Sequence, residues 1–133
     1  MTPRAVALVQ GLYYLVTGIW PLVSMRTFEA VTGPKTDDWL VRTVGLLAAT
    51  IGGILAGRAL PAEPHVAPDP ALGIGSALAF ATTDIVHAVP GRISRVYLAD
   101  AAVELGIAAA WVLALRGSQA HDSPWRPGGL RAR

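Results

Sequence analysis

Four long apolar segments constrain the fold of this chain more than any other feature. They cover residues 5–23, 39–59, 71–89 and 96–115. Each is close to the ~20 residues that an α-helix, rising 1.5 Å per residue, needs to cross the ~30 Å hydrocarbon core of a bilayer. The sequence therefore predicts an all-α, membrane-embedded four-helix bundle whose spans run up, down, up and down.

The composition favours this interpretation over a soluble bundle. Hydrophobic residues make up 53% of the chain and charged residues 15%, against roughly 25% charged in an ordinary soluble domain. A soluble helix needs a polar stripe, but between residues 43 and 57 only Thr50 is polar. The first segment contains Gln10, Tyr13 and Tyr14 and is too long for a typical signal peptide, so we expect it to be retained as a span.

Helix start signals precede each segment. Thr2 and Asp69 are capping residues followed by proline, Asp37 and Asp38 precede the second segment, and Ser94 precedes the fourth. The expected domain is a transmembrane unit over residues 1–117. Residues 118–133 are rich in Gly, Pro, Ser and Arg, which predicts a disordered basic tail.

The connections divide the chain between two membrane faces. Face one holds the N-terminus, the loop 60–70 and the tail; face two holds the loop 24–38 and the turn 90–92. Six of the 11 Lys and Arg residues fall on face one and five on face two, a small excess that favours cytoplasmic termini. The excess of Arg over Lys, with abundant Ala and Gly, is typical of a GC-rich bacterial genome, so we expect a bacterial plasma (inner) membrane. The net charge is only +2 and no run is strongly basic, which argues against a nucleic-acid partner.

Ionisable side chains lie inside the third and fourth apolar segments. Asp84 and His87 are spaced i, i+3, and Asp100 and Glu104 are spaced i, i+4, so each pair is predicted to share a helix face. Asp84 and Asp100 would both lie ~8–9 Å into the bilayer from face two. Such groups are costly in lipid and usually face a bundle interior or a watery cavity, where they mark function.

The other segments add polar groups to the same interior. Gln10 and Tyr14 belong to a polar stripe on the first helix, Tyr97 extends the stripe of the fourth, and Arg42 is a cationic partner for a carboxylate at similar depth. We therefore predict one pocket, open to face two and closed by the loop 24–38. Its predicted members are Asp84, His87, Asp100, Glu104, Arg42, Tyr14, Gln10 and Tyr97.

Two interpretations of this cluster remain open. A paired network around Arg42 would only hold the helices in register. Alternatively, the cluster is a ligand pocket or a proton relay. Three carboxyl groups facing one Arg leave excess negative charge in a low dielectric, so we expect Glu104, the deepest of them, to be wholly or partly protonated at neutral pH.

The sequence predicts neither a metal site nor a cofactor. Asp84-x-x-His87 matches one carboxylate-x-x-His element of a di-iron bundle, but such a site needs two elements and further carboxylates. The other histidines, His65 and His121, fall in a loop and in the tail. There is no cysteine, which excludes thiolate ligands and disulfides, and no dinucleotide, P-loop or nucleophile-elbow motif is present.

Small residues recur every four positions in the second helix, at Gly45, Ala49, Gly53 and Gly57. Faces of this kind let helix backbones approach closely in lipid. They serve either packing within the chain or a homodimer, and we favour packing within the chain.

Two stretches carry a family resemblance. Residues 31–45 (VTGPKTDDWLVRTVG) and 91–100 (GRISRVYLAD) resemble sequences of small uncharacterised bacterial four-span membrane proteins. In length and span count the whole chain is also similar to the DoxX-like proteins. The resemblance implies the architecture and no activity. It also implies a structured loop after the first span, where Phe28 and Val31 would anchor a short interfacial helix.

These observations favour a non-enzymatic membrane protein that holds a small polar or amphipathic ligand in the acidic pocket. One alternative is an accessory subunit that docks through the second helix to a second copy or to a larger membrane complex. Another is a membrane enzyme that uses Asp84 and His87 as an acid–base pair.

Overall fold

The computed structural model describes residues 1–60 and 66–121 of the 133-residue chain. Over these residues it consists of helices joined by short connections. They are α1 (Pro3–Val23), α2 (Met25–Thr32), α3 (Asp38–Ala59), α4 (Pro70–Ala88) and α5 (Val96–His121).

Four of these helices, α1, α3, α4 and α5, are long and apolar enough to cross a membrane. The prediction of an all-α four-span bundle is therefore confirmed, and the chain is a multi-pass membrane protein. Large apolar side chains such as Val9, Val16, Leu46 and Leu113 are exposed on the outside of the bundle. A bundle in water would bury such residues, whereas lipid tails solvate them.

The helix starts follow the predicted capping residues with one exception. The Thr2 hydroxyl accepts a hydrogen bond from the Ala5 amide at 3.2 Å, and the Asp69 carboxylate accepts one from the Ala71 amide at 2.9 Å. Each satisfies a backbone donor that has no partner within the helix. Asp37 also precedes its helix, α3, but its side chain makes no capping hydrogen bond.

The last helix is longer than predicted. α5 continues to His121, past the predicted domain end at residue 117. Nothing in its sequence stops it earlier, since Gly117 lies within a run of good helix formers. The remainder of the predicted tail, residues 122–133, and residues 61–65 of the predicted loop lie outside the described residues.

α1 and α3 pack closely through glycines spaced seven residues apart. A Cβ on Gly18 would lie 2.5 Å from the Gly45 carbonyl oxygen, and one on Gly11 would lie 2.7 Å from the Gly52 carbonyl oxygen. These two contacts bring the helix backbones together without intervening side chains, as expected where lipid provides no hydrophobic drive. Gly45 of α3 therefore packs within the chain, against Gly18 of α1.

The predicted series at every fourth residue does not continue along the whole of α3. Ala49 is half-buried beside Gly18, but Gly53 and Gly57 are exposed, and a Cβ on Gly57 would meet nothing within 4 Å. At 3.6 residues per turn, each step of four rotates the face by ~40°, whereas a step of seven returns it to within ~20°. The contact face therefore follows Gly45 and Gly52.

α4 and α5 form the second closely packed pair, and α1 contacts both of them. In the half of the bundle nearer face one, the two pairs meet in a filled core that includes Val6, Leu55 and Trp111. Trp111 is fully buried and lies against Gly73, where a Cβ would come within 2.5 Å of the indole. This packed core fixes the distance between the two helix pairs.

Candidate functional site

A chamber of about 500 Å³ lies between the helix pairs in the half of the bundle nearer face two. All four spans line it, together with one residue of α2 and two residues from the connections. Its volume falls within the ~300–1,000 Å³ of typical small-molecule sites. Its ionisable and aromatic lining residues are Tyr13, Tyr14, Phe28, Lys35, Phe80, Asp84, Tyr97, Asp100 and Glu104.

Two of the three carboxyl groups in the chamber are bound by tyrosines of α1. The Tyr14 hydroxyl donates a hydrogen bond to Glu104 Oε2 at 2.8 Å, and the Tyr13 hydroxyl donates one to Asp100 Oδ1. Glu104 is only 1% exposed, so this hydrogen bond replaces water at a buried group. The predicted i, i+4 pair of α5 therefore faces the interior and is oriented by α1.

The third carboxyl group differs from the other two. Asp84 is 6% exposed, and its Oδ2 atom is fully buried without a hydrogen-bond partner among the described residues. The carboxyl group of Asp100 on the adjacent helix lies close enough to interact with the Asp84 carboxyl group. Unpaired buried polar atoms are rare in proteins because each one forfeits its hydrogen bonds to water. Asp84 therefore has unused hydrogen-bonding capacity on the chamber wall.

Aromatic rings surround these carboxyl groups. Phe80 of α4 contacts the Tyr14 ring edge-on, with 5.3 Å between centroids, and holds it towards Glu104. Tyr97 lines the chamber from the first turn of α5. The chamber thus combines acidic groups with ring faces, which is an arrangement that can hold a cation.

A loop from face two brings one basic group to the chamber. Lys35 Nζ lies 5.0 Å from the centre of the Tyr97 ring and donates a hydrogen bond to the Thr32 carbonyl oxygen at 2.9 Å. The Lys35 backbone amide also donates to Glu29 Oε1 at 2.7 Å, so the loop is tied to α2. Among the described residues, Lys35 is the one basic side chain that lines the chamber.

α2 lies beside this loop and contributes Phe28 to the lining of the chamber. Ser24 accepts a hydrogen bond from the Thr27 amide at 3.3 Å, and the Trp20 indole donates to the Thr27 hydroxyl at 2.8 Å. The Phe28 ring packs edge-on against Trp20, with 5.7 Å between centroids. A structured segment after the first span, with Phe28 as its anchor, was expected from the sequence and is present in the structure.

The structure brings together five of the eight predicted pocket residues, namely Asp84, Asp100, Glu104, Tyr14 and Tyr97. The placement of Arg42 is corrected, because its side chain is exposed on the outside of α3 and does not line the chamber. Arg42 is rotated by ~100° from Val41, which does line it. The predicted pairing of Arg42 with a carboxylate was therefore wrong.

The predicted placements of His87 and Gln10 in the chamber are also corrected. His87 lies outside the chamber, with Nδ1 2.8 Å from the Thr83 carbonyl oxygen of its own helix. Gln10 is fully buried in the half nearer face one, where it donates to the Gly73 carbonyl oxygen at 2.8 Å and accepts from the Trp111 indole at 2.7 Å. His87 is thus a half-buried residue on the side of α4, whereas Gln10 joins α1, α4 and α5.

Lys35 and Phe80 were not predicted as site residues. Lys35 lies in the connection between α2 and α3, where helical periodicity carries no information. It does belong to the stretch 31–45, whose resemblance pointed to a structured loop. Phe80 lies four residues before Asp84 on α4, and this i, i+4 spacing was the signal that could have revealed it.

A second recess of about 280 Å³ adjoins the chamber between α1, α2 and α5. The lining residues that it shares with the chamber are Tyr13, Thr17, Phe28, Tyr97 and Asp100. Most of its remaining lining is apolar, and Val31 and Val103 are 51% and 45% exposed on the outer surface. We call this recess the side groove; it connects the acidic wall to the lipid-facing surface.

Over residues 1–60 and 66–121, no group of three His, Asp or Glu side chains converges closely enough to hold a metal ion. Comparison of the chain with models of known protein families, with curated proteins and with solved structures finds no match. The functional argument therefore depends on the geometry of the chamber.

Proposed function

We propose that this membrane protein holds a small polar or amphipathic ligand in the acidic chamber and catalyses no reaction on it. The unpartnered carboxylate oxygen of Asp84 is the observation that carries the proposal. A buried carboxyl group without a partner is costly in lipid and persists where it serves a function. A ligand that hydrogen-bonds to this oxygen supplies the missing partner.

Other features of the chamber support binding over a structural role. A network that only holds helices in register satisfies its members with one another, as Gln10 and Trp111 do. Asp84, in contrast, lines an open volume large enough for an organic molecule. An acid–base enzyme is less well supported, because His87 is turned away from Asp84 towards its own helix backbone.

The proposal is tested by filling the chamber. Val44 lines the chamber from α3, whereas Leu46, two residues further along the helix, is exposed and lies outside it. Val44→Trp should displace the ligand, and Leu46→Trp is the matched control. Native mass spectrometry of each protein, purified from its membrane, measures which small molecules remain bound.

We expect a bound small molecule in the wild type and in Leu46→Trp that is lost in Val44→Trp. The same molecule retained in all three proteins would contradict binding in the chamber. Recovery of stoichiometric partner subunits instead would favour an accessory subunit of a larger membrane complex.

We further propose that the chain resides in a bacterial plasma membrane with both termini in the cytoplasm, so that the chamber opens outward. The small excess of Lys and Arg on face one supports this orientation. The chain lacks cysteine, so Thr36→Cys and Ser118→Cys each introduce a unique thiol at an exposed position. A membrane-impermeant maleimide applied to intact cells should label the first and not the second. The reverse pattern would invert the orientation.

A further inference from the structure

The charges of the chamber indicate what kind of ligand it accepts. Three carboxyl groups face one lysine, and that lysine is engaged by a carbonyl oxygen and a tyrosine ring. An anionic ligand would add to the negative charge of a water-poor cavity. A cation instead compensates negative charge and supplies a partner for Asp84 Oδ2, which has no hydrogen-bond partner among the described residues.

The arrangement of the carboxyl groups favours an organic cation over a metal ion. Metal sites gather several oxygen ligands around one point, at 2.3–2.6 Å for Ca²⁺. In the described part of the chain, the acidic groups do not converge in this way. Asp100 and Glu104 are separated by a helical turn and each is bound to a different tyrosine. Tyr14 and Phe80 also line the chamber, and aromatic rings attract an ammonium group through the ring quadrupole.

The side groove indicates the shape of the ligand. It begins at Asp100 and Tyr97 on the chamber wall and continues along apolar side chains such as Val96 and Val103. An apolar chain in this groove would be shielded from water by α2 while its polar head remained in the chamber. A ligand reaching the protein from the bilayer would therefore enter head first through the groove.

We propose that the ligand is an amphipathic organic ammonium ion whose cationic head pairs with Asp84 and whose apolar chain lies in the side groove. This inference rests on the proposed function and specifies its ligand class. It predicts that binding depends separately on the acid in the chamber and on free space in the groove.

The test uses the full chain in lipid nanodiscs, with empty nanodiscs to subtract partitioning into lipid. The probes are octyltrimethylammonium, tetramethylammonium, octanoate and octanol, which separate head charge from chain. Equilibrium dialysis measures binding to the wild type and to five variants, one of which is Val44→Trp, the substitution that fills the chamber. Asp84→Asn removes the acid, and Asp38→Asn is its control at an exposed aspartate on the same face. Ala99→Phe fills the groove, and Ala102→Phe is its control at an exposed α5 position outside it.

We expect octyltrimethylammonium to bind most tightly. Asp84→Asn should weaken its binding by about tenfold or more, as expected for loss of a charged hydrogen-bonding partner, and Asp38→Asn should leave it unchanged. Ala99→Phe should weaken octyltrimethylammonium but not tetramethylammonium, and Ala102→Phe should weaken neither. Circular dichroism and thermal unfolding of each variant establish that it is folded.

Different failures have different consequences. If octanoate or octanol binds more tightly and Val44→Trp abolishes that binding, the ligand is not a cation, although the proposed function stands. If tetramethylammonium binds as well as the octyl compound and Ala99→Phe has no effect, the groove plays no part and the amphipathic assignment is wrong. If no probe binds in a way that depends on Val44, the inference and the proposed function both fail.

Discussion

The two halves of this bundle use the same helices in opposite ways. In the half nearer face one, Trp111 fills the space between the helix pairs and its indole donates to Gln10. In the half nearer face two, the space is left open and Asp84 faces it with an unpartnered oxygen. Polar groups in the first half therefore pair with each other, whereas one in the second half does not.

This difference distinguishes two kinds of polar residue in one membrane domain: those that join helices in the core and those that line the chamber. Gln10 and Tyr14 lie one turn apart on α1. Gln10 joins α1 to α4 and α5 in a dry core, while Tyr14 orients Glu104 on the chamber wall. Depth along the helix decides which role a polar residue takes, because the core closes at Trp111 and opens beyond Tyr14. Four substitutions test this contrast.

The largest effect is expected from Trp111→Ala. The substitution removes a fully buried side chain and leaves Gln10 Oε1 without its donor. It should lower the free energy of unfolding by about 3–5 kcal/mol, as large-to-small changes in packed cores do. Unfolding by SDS in mixed micelles measures this loss of free energy. Val112→Ala, on the more exposed neighbouring position, should cost far less; equal losses would mean that this half is not a packed core.

Gly73→Ala should have the next largest effect. Its Cβ would lie 2.5 Å from the indole of Trp111, which the hydrogen bond to Gln10 holds in place. Overpacking of this kind costs about 1–3 kcal/mol. Gly75→Ala is the matched control on the same helix, because its Cβ would meet nothing within 4 Å. The control should leave stability unchanged or raise it by about 0.5–1 kcal/mol. The same SDS titration measures the free energy of unfolding of both variants. Similar values would indicate that the core around Trp111 is loosely packed.

A smaller effect of opposite sign is expected from Asp84→Asn in the open half. Replacing an unpaired buried acid by a neutral amide should change the free energy of unfolding by less than about 1 kcal/mol, towards greater stability. Gln10→Leu provides the contrast from the filled half. It leaves the Trp111 indole donor unpaired and removes one of the hydrogen bonds to the Gly73 carbonyl oxygen, which should cost about 1–3 kcal/mol. Marked destabilisation by Asp84→Asn would instead assign Asp84 a structural role.

The smallest effect is expected from Arg42→Ala. The side chain is exposed on the outside of α3 and does not line the chamber. Exposed substitutions away from special features usually lie within about 0.5 kcal/mol of the wild type. Thermal unfolding in detergent, with Arg58→Ala as a second exposed arginine of the same helix, measures this. A loss of several kcal/mol would instead support the predicted pairing of Arg42 with a buried acid.

The limits of the first three spans were well predicted from the sequence. The segments 5–23, 39–59 and 71–89 differ from α1, α3 and α4 by at most two residues at either end. Apolar length and capping residues fix these limits locally, as the hydrogen bonds of Thr2 and Asp69 illustrate.

The angular positions around each helix were predicted less well. His87 is rotated by ~60° from Asp84, and Arg42 by ~100° from Val41, which suffices to place both outside the chamber. In a membrane, apolar residues occupy the inner and the outer face alike, so hydrophobicity does not reveal which face is buried. The contact between Gly11 and Gly52 sets the rotation of α1 and α3, and it depends on both helices at once.

The sequence by itself determined that this chain crosses a membrane four times and carries acidic groups within the bilayer. Those properties follow from the length and polarity of single segments. Each segment partitions between water and lipid according to its own composition, independently of the rest of the chain. Only the tertiary structure decided that Trp111 closes one half of the bundle, that Lys35 reaches the other, and that Asp84 keeps an unpartnered oxygen. Each of these depends on distances between helices, and close packing of side chains against glycines sets those distances.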